Sequence, residues 1–218
     1  MNHLAHAVLA GDEPDLILGG LLGDFVHGPV PTGLRRGVEL GIRLHRAIDV
    51  HTDSHPVVVD LRNLFVAPFR RYAGILLDVW FDHLLARDFA HWCTTPLERF
   101  SGDLLALLQR HADELPPSMR GFVAYMQRNG LPAAYADAGV IGRALAGIGT
   151  RLSRANPLHE ALPVLQANDA ALQRGFEEFL PAAAYVRAGM AAGHAGVGRR
   201  AALPYGSGGG RVALDAHR

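Results

Sequence analysis

Ile75-Leu76-Leu77-Asp78-Val79-Trp80-Phe81-Asp82-His83-Leu84-Leu85 is apolar almost all the way round, the pattern of a helix buried inside a domain. Outward from it the periodicity stays helical. Glu13-Pro14 opens a helix with proline at its first position, running through Leu16, Ile17, Leu21 and Phe25. Thr32 is expected to cap a long helix carrying Val38, Ile42, Leu44 and Ile48 toward Asp53, and His55-Pro56 breaks it. Thr95-Pro96-Leu97-Glu98 reads as a capping box opening a helix to about Glu114. Pro116-Pro117 stops that helix, and Ser118 is positioned to cap the next. Asn156-Pro157 repeats the cap-plus-proline signal before a late helical pair. Val57-Val58-Val59, the one β-branched run, is too short for a strand against this background. The fold class is all-α.

The chain has 218 residues, 49% hydrophobic and 19% charged, which suits a single domain. The domain is expected over residues 1–191, followed by a Gly/Arg-rich flexible tail over 192–218 with little apolar surface to bury. Gly196-Val197-Gly198-Arg199-Arg200-Ala201 fits a dinucleotide fingerprint only formally, because no strand precedes it. The 21 cations are all arginine and balance 21 acids, which argues against nucleic-acid binding by bulk charge. Without lysine there is no Schiff base and no P-loop lysine. Cys93 is the single cysteine, so no intramolecular disulfide can form, and a catalytic thiol in His91-Trp92-Cys93 lacks an oxyanion motif. The first residues lack a signal-peptide pattern and the longest apolar run, Leu16–Gly23, is too short to span a bilayer. A cytoplasmic protein without a membrane partner is expected.

Acids and histidines interrupt the apolar faces at helical spacing. Asp78 and Asp82 stack on one face of the buried helix, where a bare carboxylate costs several kcal/mol, roughly, unless it is paired or holds a cation. Two readings fit: a metal, or ion pairs to Arg70, Arg71 or Arg87. His45 and Asp49 repeat the spacing one helix earlier, and Asp53 extends the row; alone they could be a helix-stabilising pair. Asp24 ends the helix containing Gly19-Gly20-Leu21-Leu22-Gly23, whose glycines suit a very close backbone neighbour. Imidazole with carboxylates and no thiolate is a donor set for Mn²⁺, Mg²⁺ or Fe²⁺ rather than structural zinc. Such an ion serves phosphate-ester hydrolysis by generating hydroxide and neutralising phosphoryl charge. His6 and His83 are then candidate proton donors to the leaving oxygen, although a satisfied core histidine explains either one alone.

Four stretches carry a resemblance. Met1-Asn2-His3-Leu4-Ala5-His6, Gly20-Leu21-Leu22-Gly23-Asp24-Phe25-Val26, His45-Arg46-Ala47-Ile48-Asp49-Val50-His51-Thr52-Asp53 and Leu77-Asp78-Val79-Trp80-Phe81-Asp82-His83 resemble, in order, signature stretches of the bacterial acyl carrier protein phosphodiesterase (holo-acyl carrier protein hydrolase) family. That family is a divergent branch of the HD metal-dependent phosphohydrolases. The resemblance implies an all-helical fold of divergent HD type and a Mn²⁺-preferring activity. The implied reaction cleaves the phosphodiester between 4′-phosphopantetheine and a serine of holo-acyl carrier protein. It places Asp24, His45, Asp49, Asp78 and Asp82 near the metal, with His6 and His83 beside it. One departure is that no adjacent His-Asp doublet occurs, only the reversed Asp82-His83. An acidic carrier needs a basic docking surface, for which Arg35, Arg36, Arg43 and Arg46 are the candidates. The competing functions are hydrolysis of a nucleotide or other small phosphoester and a non-catalytic helical module that binds a carrier protein.

Overall fold

Eleven α-helices, joined by short 3₁₀ turns and loops without any strand, make up residues 2–192, the residues described by this computed structural model. In chain order they are α1 (His3–Ala10), α2 (Pro14–Leu22), α3 (Arg36–Ser54), α4 (Pro56–Arg62), α5 (Ala73–Arg87), α6 (Phe89–Trp92), α7 (Leu97–Arg110), α8 (Pro117–Asn129), α9 (Ala138–Arg151), α10 (Ala161–Ala167) and α11 (Asp169–Ala192). The expected tail lies outside the described residues.

The α5 helix is the axis. Leu76, Leu77, Trp80, Phe81, Leu84 and Leu85 are all buried, as its all-round apolar pattern requires. It meets α1 on one side, α4 and α11 on another, and α9 and α10 beyond. Phe81 packs between Phe176 and Phe179 of α11, with ring centroids 5.3 and 5.8 Å away. Full burial of each such side chain stabilises by roughly 1.5–3 kcal/mol, so this aromatic triplet anchors α11 across the core.

The α2 and α3 helices cross almost backbone to backbone. A Cβ on Gly19 would lie 2.8 Å from the Gly41 Cα and nearer still to the Val38 carbonyl. Only glycine admits that approach, which explains helix-weakening residues inside α2. A 3₁₀ turn over Gly23–Phe25 continues α2 and delivers Asp24 beside α3.

Several helix starts differ from the sequence expectation. The long helix begins at Arg36 with no side-chain cap, because Gly33 at φ +85° turns the chain after Thr32. Pro96, at ψ 143°, is itself the N-cap of α7, so Thr95 stands outside the helix and makes no cap bond. That helix ends at Arg110, and a 3₁₀ turn carries the chain to Glu114. Pro117 takes the first position of α8, leaving Ser118 inside it. Asn156 performs as expected: its Oδ1 accepts the Leu158 N–H at 3.3 Å, opening the turn before α10. The chain does break at His55, and the valine run is helical within α4.

Candidate metal centre

Where α1, the end of α2 and the middle of α3 meet, five polar side chains converge. His45 and Asp49 are one turn apart on α3, with His45 Nε2 3.1 Å from Asp49 Oδ2 and 3.5 Å from Asp24 Oδ1. His6 of α1 places its Nε2 3.2 Å from the other Asp49 oxygen. The His6 and His45 rings stack at 3.9 Å and 22°. His3, three residues before His6 and so on the same face of α1, puts Nδ1 3.2 Å from Asp24 Oδ2.

Local backbone orients this group. His45 Nδ1 donates to the Gly20 carbonyl at 2.8 Å, an approach that the glycine crossing makes possible. With that proton committed, the Nε2 lone pair of neutral His45 points at carboxylate oxygens of Asp49 and Asp24. Acceptors that face one another this closely require a positive particle between them, either a proton on Nε2 or a cation. One ligand atom from each of His6, His45 and Asp49 lies within 4.8 Å of the others, a spacing that one divalent ion can span. Gly23 lets the His45 ring pack directly against the end of α2, since a Cβ there would run into it.

Burial separates the charge states. It pushes His6, 1% exposed, down to about 4, so its imidazole is neutral and able to ligate. Burial alone would raise Asp49, but hydrogen bonds to His45 and His6 hold it below the usual carboxylate range. Burial likewise opposes His45, whose partners Asp49 and Asp24 nevertheless raise it. Asp24 is lowered against its own burial by His3. The two carboxylates are 38% and 39% exposed while the histidines of the triad are buried. The cluster is therefore open to solvent on its acidic side, where a substrate can enter. A wall of Phe25 and Phe122 flanks His3, Phe122 edge-on at 4.2 Å, and Tyr125 continues it outward.

The α5 residues take other positions. The sequence expectation put Asp82 on the metal; the structure instead gives its oxygens to the Leu4 and Ala5 N–H groups, each at 2.9 Å. Burial pushes its carboxyl up to about 6 against those two bonds. Asp78 is half-buried on the preceding turn and outside the three-residue ligand group; burial raises it, and the charges of Asp49 and Asp53 add to that. His83 stands apart, donating from Nδ1 to the Tyr135 carbonyl at 2.8 Å with its ring against Trp80. Asp53 pairs with Arg62. His3 lies outside the residues expected from sequence to form the site, although its spacing to His6 is a usable signal. Cys93 is buried and its thiol is pushed up to about 12, inert as a nucleophile.

Of the four candidate docking arginines, Arg35 already pairs with Asp15 and Glu114, at 3.0 and 2.5 Å, and Arg43 with Glu39 at 2.7 Å. Arg46 donates to the Val26 carbonyl at 2.9 Å and so braces the segment after Asp24. Arg36 is exposed, with no ion pair among the described residues. No described helix is long and apolar enough to cross a membrane.

Residues 1–183 match a family model described as acyl carrier protein phosphodiesterase. Proteins of that name from Photorhabdus laumondii, Serratia proteamaculans and Salmonella agona are 32%, 34% and 35% identical to this chain. Each alignment covers 83% of this chain and 92%, 94% and 94% of the respective relative. No solved structure matches.

Proposed function

The chain belongs to the acyl carrier protein phosphodiesterase family, and from that premise we propose that it hydrolyses the phosphodiester joining 4′-phosphopantetheine to a serine of holo-acyl carrier protein. The products are apo-carrier and 4′-phosphopantetheine. The observation that carries a metal-dependent reading is the convergence of His6, His45 and Asp49, one ligand atom of each within 4.8 Å of the others. We assign a divalent cation to this triad, with Asp24 at its edge: imidazole plus carboxylate suits Mn²⁺, Mg²⁺ or Fe²⁺, and the family resemblance favours Mn²⁺. A divalent ion there supplies Lewis acidity toward water and the phosphoryl oxygens.

The remaining work falls to this chain's own groups. Hydrolysis adds water to phosphorus, breaks the bond from phosphorus to the serine oxygen, and returns a proton to that oxygen. Asp24, ionised and open to solvent beside His3, is placed to take the proton from water, and the His3–Asp24 pair to pass one to the leaving serine. His6, neutral through burial, serves as ligand rather than acid. The Gly20 carbonyl holds His45 in one orientation. Asp78 contributes negative potential from one turn of α5, and the HD-type assignment follows the resemblance alone. A cytoplasmic setting suits the carrier substrate and the single buried thiol.

The test uses metal-stripped protein, holo-acyl carrier protein and added Mn²⁺, with the carrier's intact mass as readout. The mass should fall by one phosphopantetheine group only when metal is present. A carrier mass unchanged with Mn²⁺, Mg²⁺ and Fe²⁺ alike would overturn the proposal.

A further inference from the structure

Asp82 has no exposure at all, yet among the described residues it is neither ion-paired to an arginine nor one of the potential metal ligands. Its partners are two consecutive backbone N–H groups at the start of α1, Leu4 and Ala5, both at 2.9 Å and both on fully buried residues. The first N–H groups of a helix have no partner within it, and Asn2 at the N-cap supplies no side-chain bond. The α5 carboxylate fills that role from 78 residues away in sequence. It also sits at the positive end of the α1 dipole, which favours a negative group.

Two bonds to successive residues do more than satisfy donors. Neighbouring N–H groups all point toward the N-terminus but sit about 100° apart around the helix axis, so a carboxylate that grips both fixes the rotation of α1 as well as its position along α5. That rotation decides where the helix presents His3 and His6. His6 must meet Asp49 at 3.2 Å and stack on His45 at 3.9 Å, while His3 must reach Asp24. Seven of the eight residues of α1 are buried, so packing holds the helix in the core, and the paired bonds from Asp82 fix its rotation there.

We infer that Asp82 is a positioning residue for the metal centre: its carboxylate locks the N-terminus of α1 onto α5 and so aims His3 and His6 at the α2–α3 corner. This inference rests on the proposed centre. Its signature is a loss of metal affinity in a protein that remains folded.

The experiment measures Mn²⁺ binding by calorimetry for wild type, Asp82→Asn, Asp82→Ala and His45→Ala, with helicity and melting recorded for each. Loss of an outer partner of a metal ligand costs about 10–100-fold in affinity, and that range is expected for Asp82→Asn, with Asp82→Ala at least as weak. Leu145→Ala, a core truncation in α9, controls for plain destabilisation and should lower the melting temperature without moving the dissociation constant. Hydrogen exchange on wild type provides a readout that needs no variant. Because coupling is reciprocal, adding Mn²⁺ should slow exchange at the Leu4 and Ala5 amides. Wild-type binding matched by folded Asp82→Asn, or exchange at these amides indifferent to Mn²⁺, overturns the inference and leaves the centre standing. A wild type that takes up no Mn²⁺ overturns both.

Discussion

Two regions of this molecule carry the same pattern and do different things with it. In α3, His45 and Asp49 are four residues apart beside an apolar stripe; in α5, Asp78 and Asp82 are four apart with His83 next in line. The α3 pair faces other side chains, His6 and Asp24, and the groups converge. On α5, Asp82 and His83 face backbone, the N–H groups of α1 and the carbonyl of Tyr135. Spacing reports which groups share a helix face. What that face meets decides whether they become a site or a brace.

Substitutions can break this contrast. The largest effect is expected at the α3 corner: His45→Ala should abolish measurable Mn²⁺ binding and lower turnover of holo-carrier by at least about 100-fold, beyond the usual range for an indirect partner. Helicity by circular dichroism should be retained. If the variant bound Mn²⁺ normally, the corner would be no more a centre than α5 is.

His83→Leu provides the opposite case. Losing the donor to a buried carbonyl should cost about 1–3 kcal/mol of stability, read by urea unfolding, while kcat for the folded variant stays within about twofold of wild type. A collapse of kcat with unchanged Mn²⁺ affinity would restore His83 as a proton donor and erase the contrast.

The pH dependence of the metal-free protein sharpens it. His6 is lowered from 6.5 to about 4 in the folded chain. Between those values the unfolded chain binds a proton that the folded one refuses, so His6 makes stability fall as pH drops from 6.5 toward 4. Asp82, raised from 3.8 to about 6, acts in the opposite sense, its folded form keeping a proton that the unfolded one has lost. The difference in unfolding free energy between wild type and His6→Gln, followed over pH 4–6.5, isolates the first effect and should shrink as pH falls. A difference independent of pH would place a charged His6 in the folded state.

The smallest effect is expected at the surface. Arg36→Glu should raise KM for an acidic carrier a few-fold at low salt, less at high salt, and leave kcat alone, because exposed charges steer and are screened. An unchanged KM at low salt would move the docking face away from the start of α3.

The helical architecture was legible because the α5 sequence excludes a solvent face and prolines mark its neighbours' starts. The convergence of Asp24, His45 and Asp49 was legible as well, since two lie at helical spacing and the third follows glycines that demand a crossing. Helix starts were harder. Thr32 and Thr95 have the right chemistry to cap, but a positive φ at Gly33 and an extended Pro96 move the true starts past them. The bond from Leu4 to Asp82 joins residues 78 apart, which no local pattern encodes. Among the arginines, a separation of 79 residues likewise hid the pairing of Arg35 with Glu114.

The buried thiol has a practical consequence for spectroscopy. Cys93 is the chain's one cysteine, and at 4% exposure with its acidity suppressed it will not react with maleimide or methanethiosulfonate reagents in the folded protein. A cysteine introduced at an exposed position can therefore take a spin label or fluorophore selectively, with the native background left intact. Tyr125→Cys is well sited, 40% exposed and linked through Phe122 to His3 at the edge of the cluster. Paramagnetic Mn²⁺ would broaden the signal of such a label according to distance, turning the position of the bound ion into a length that can be measured in solution.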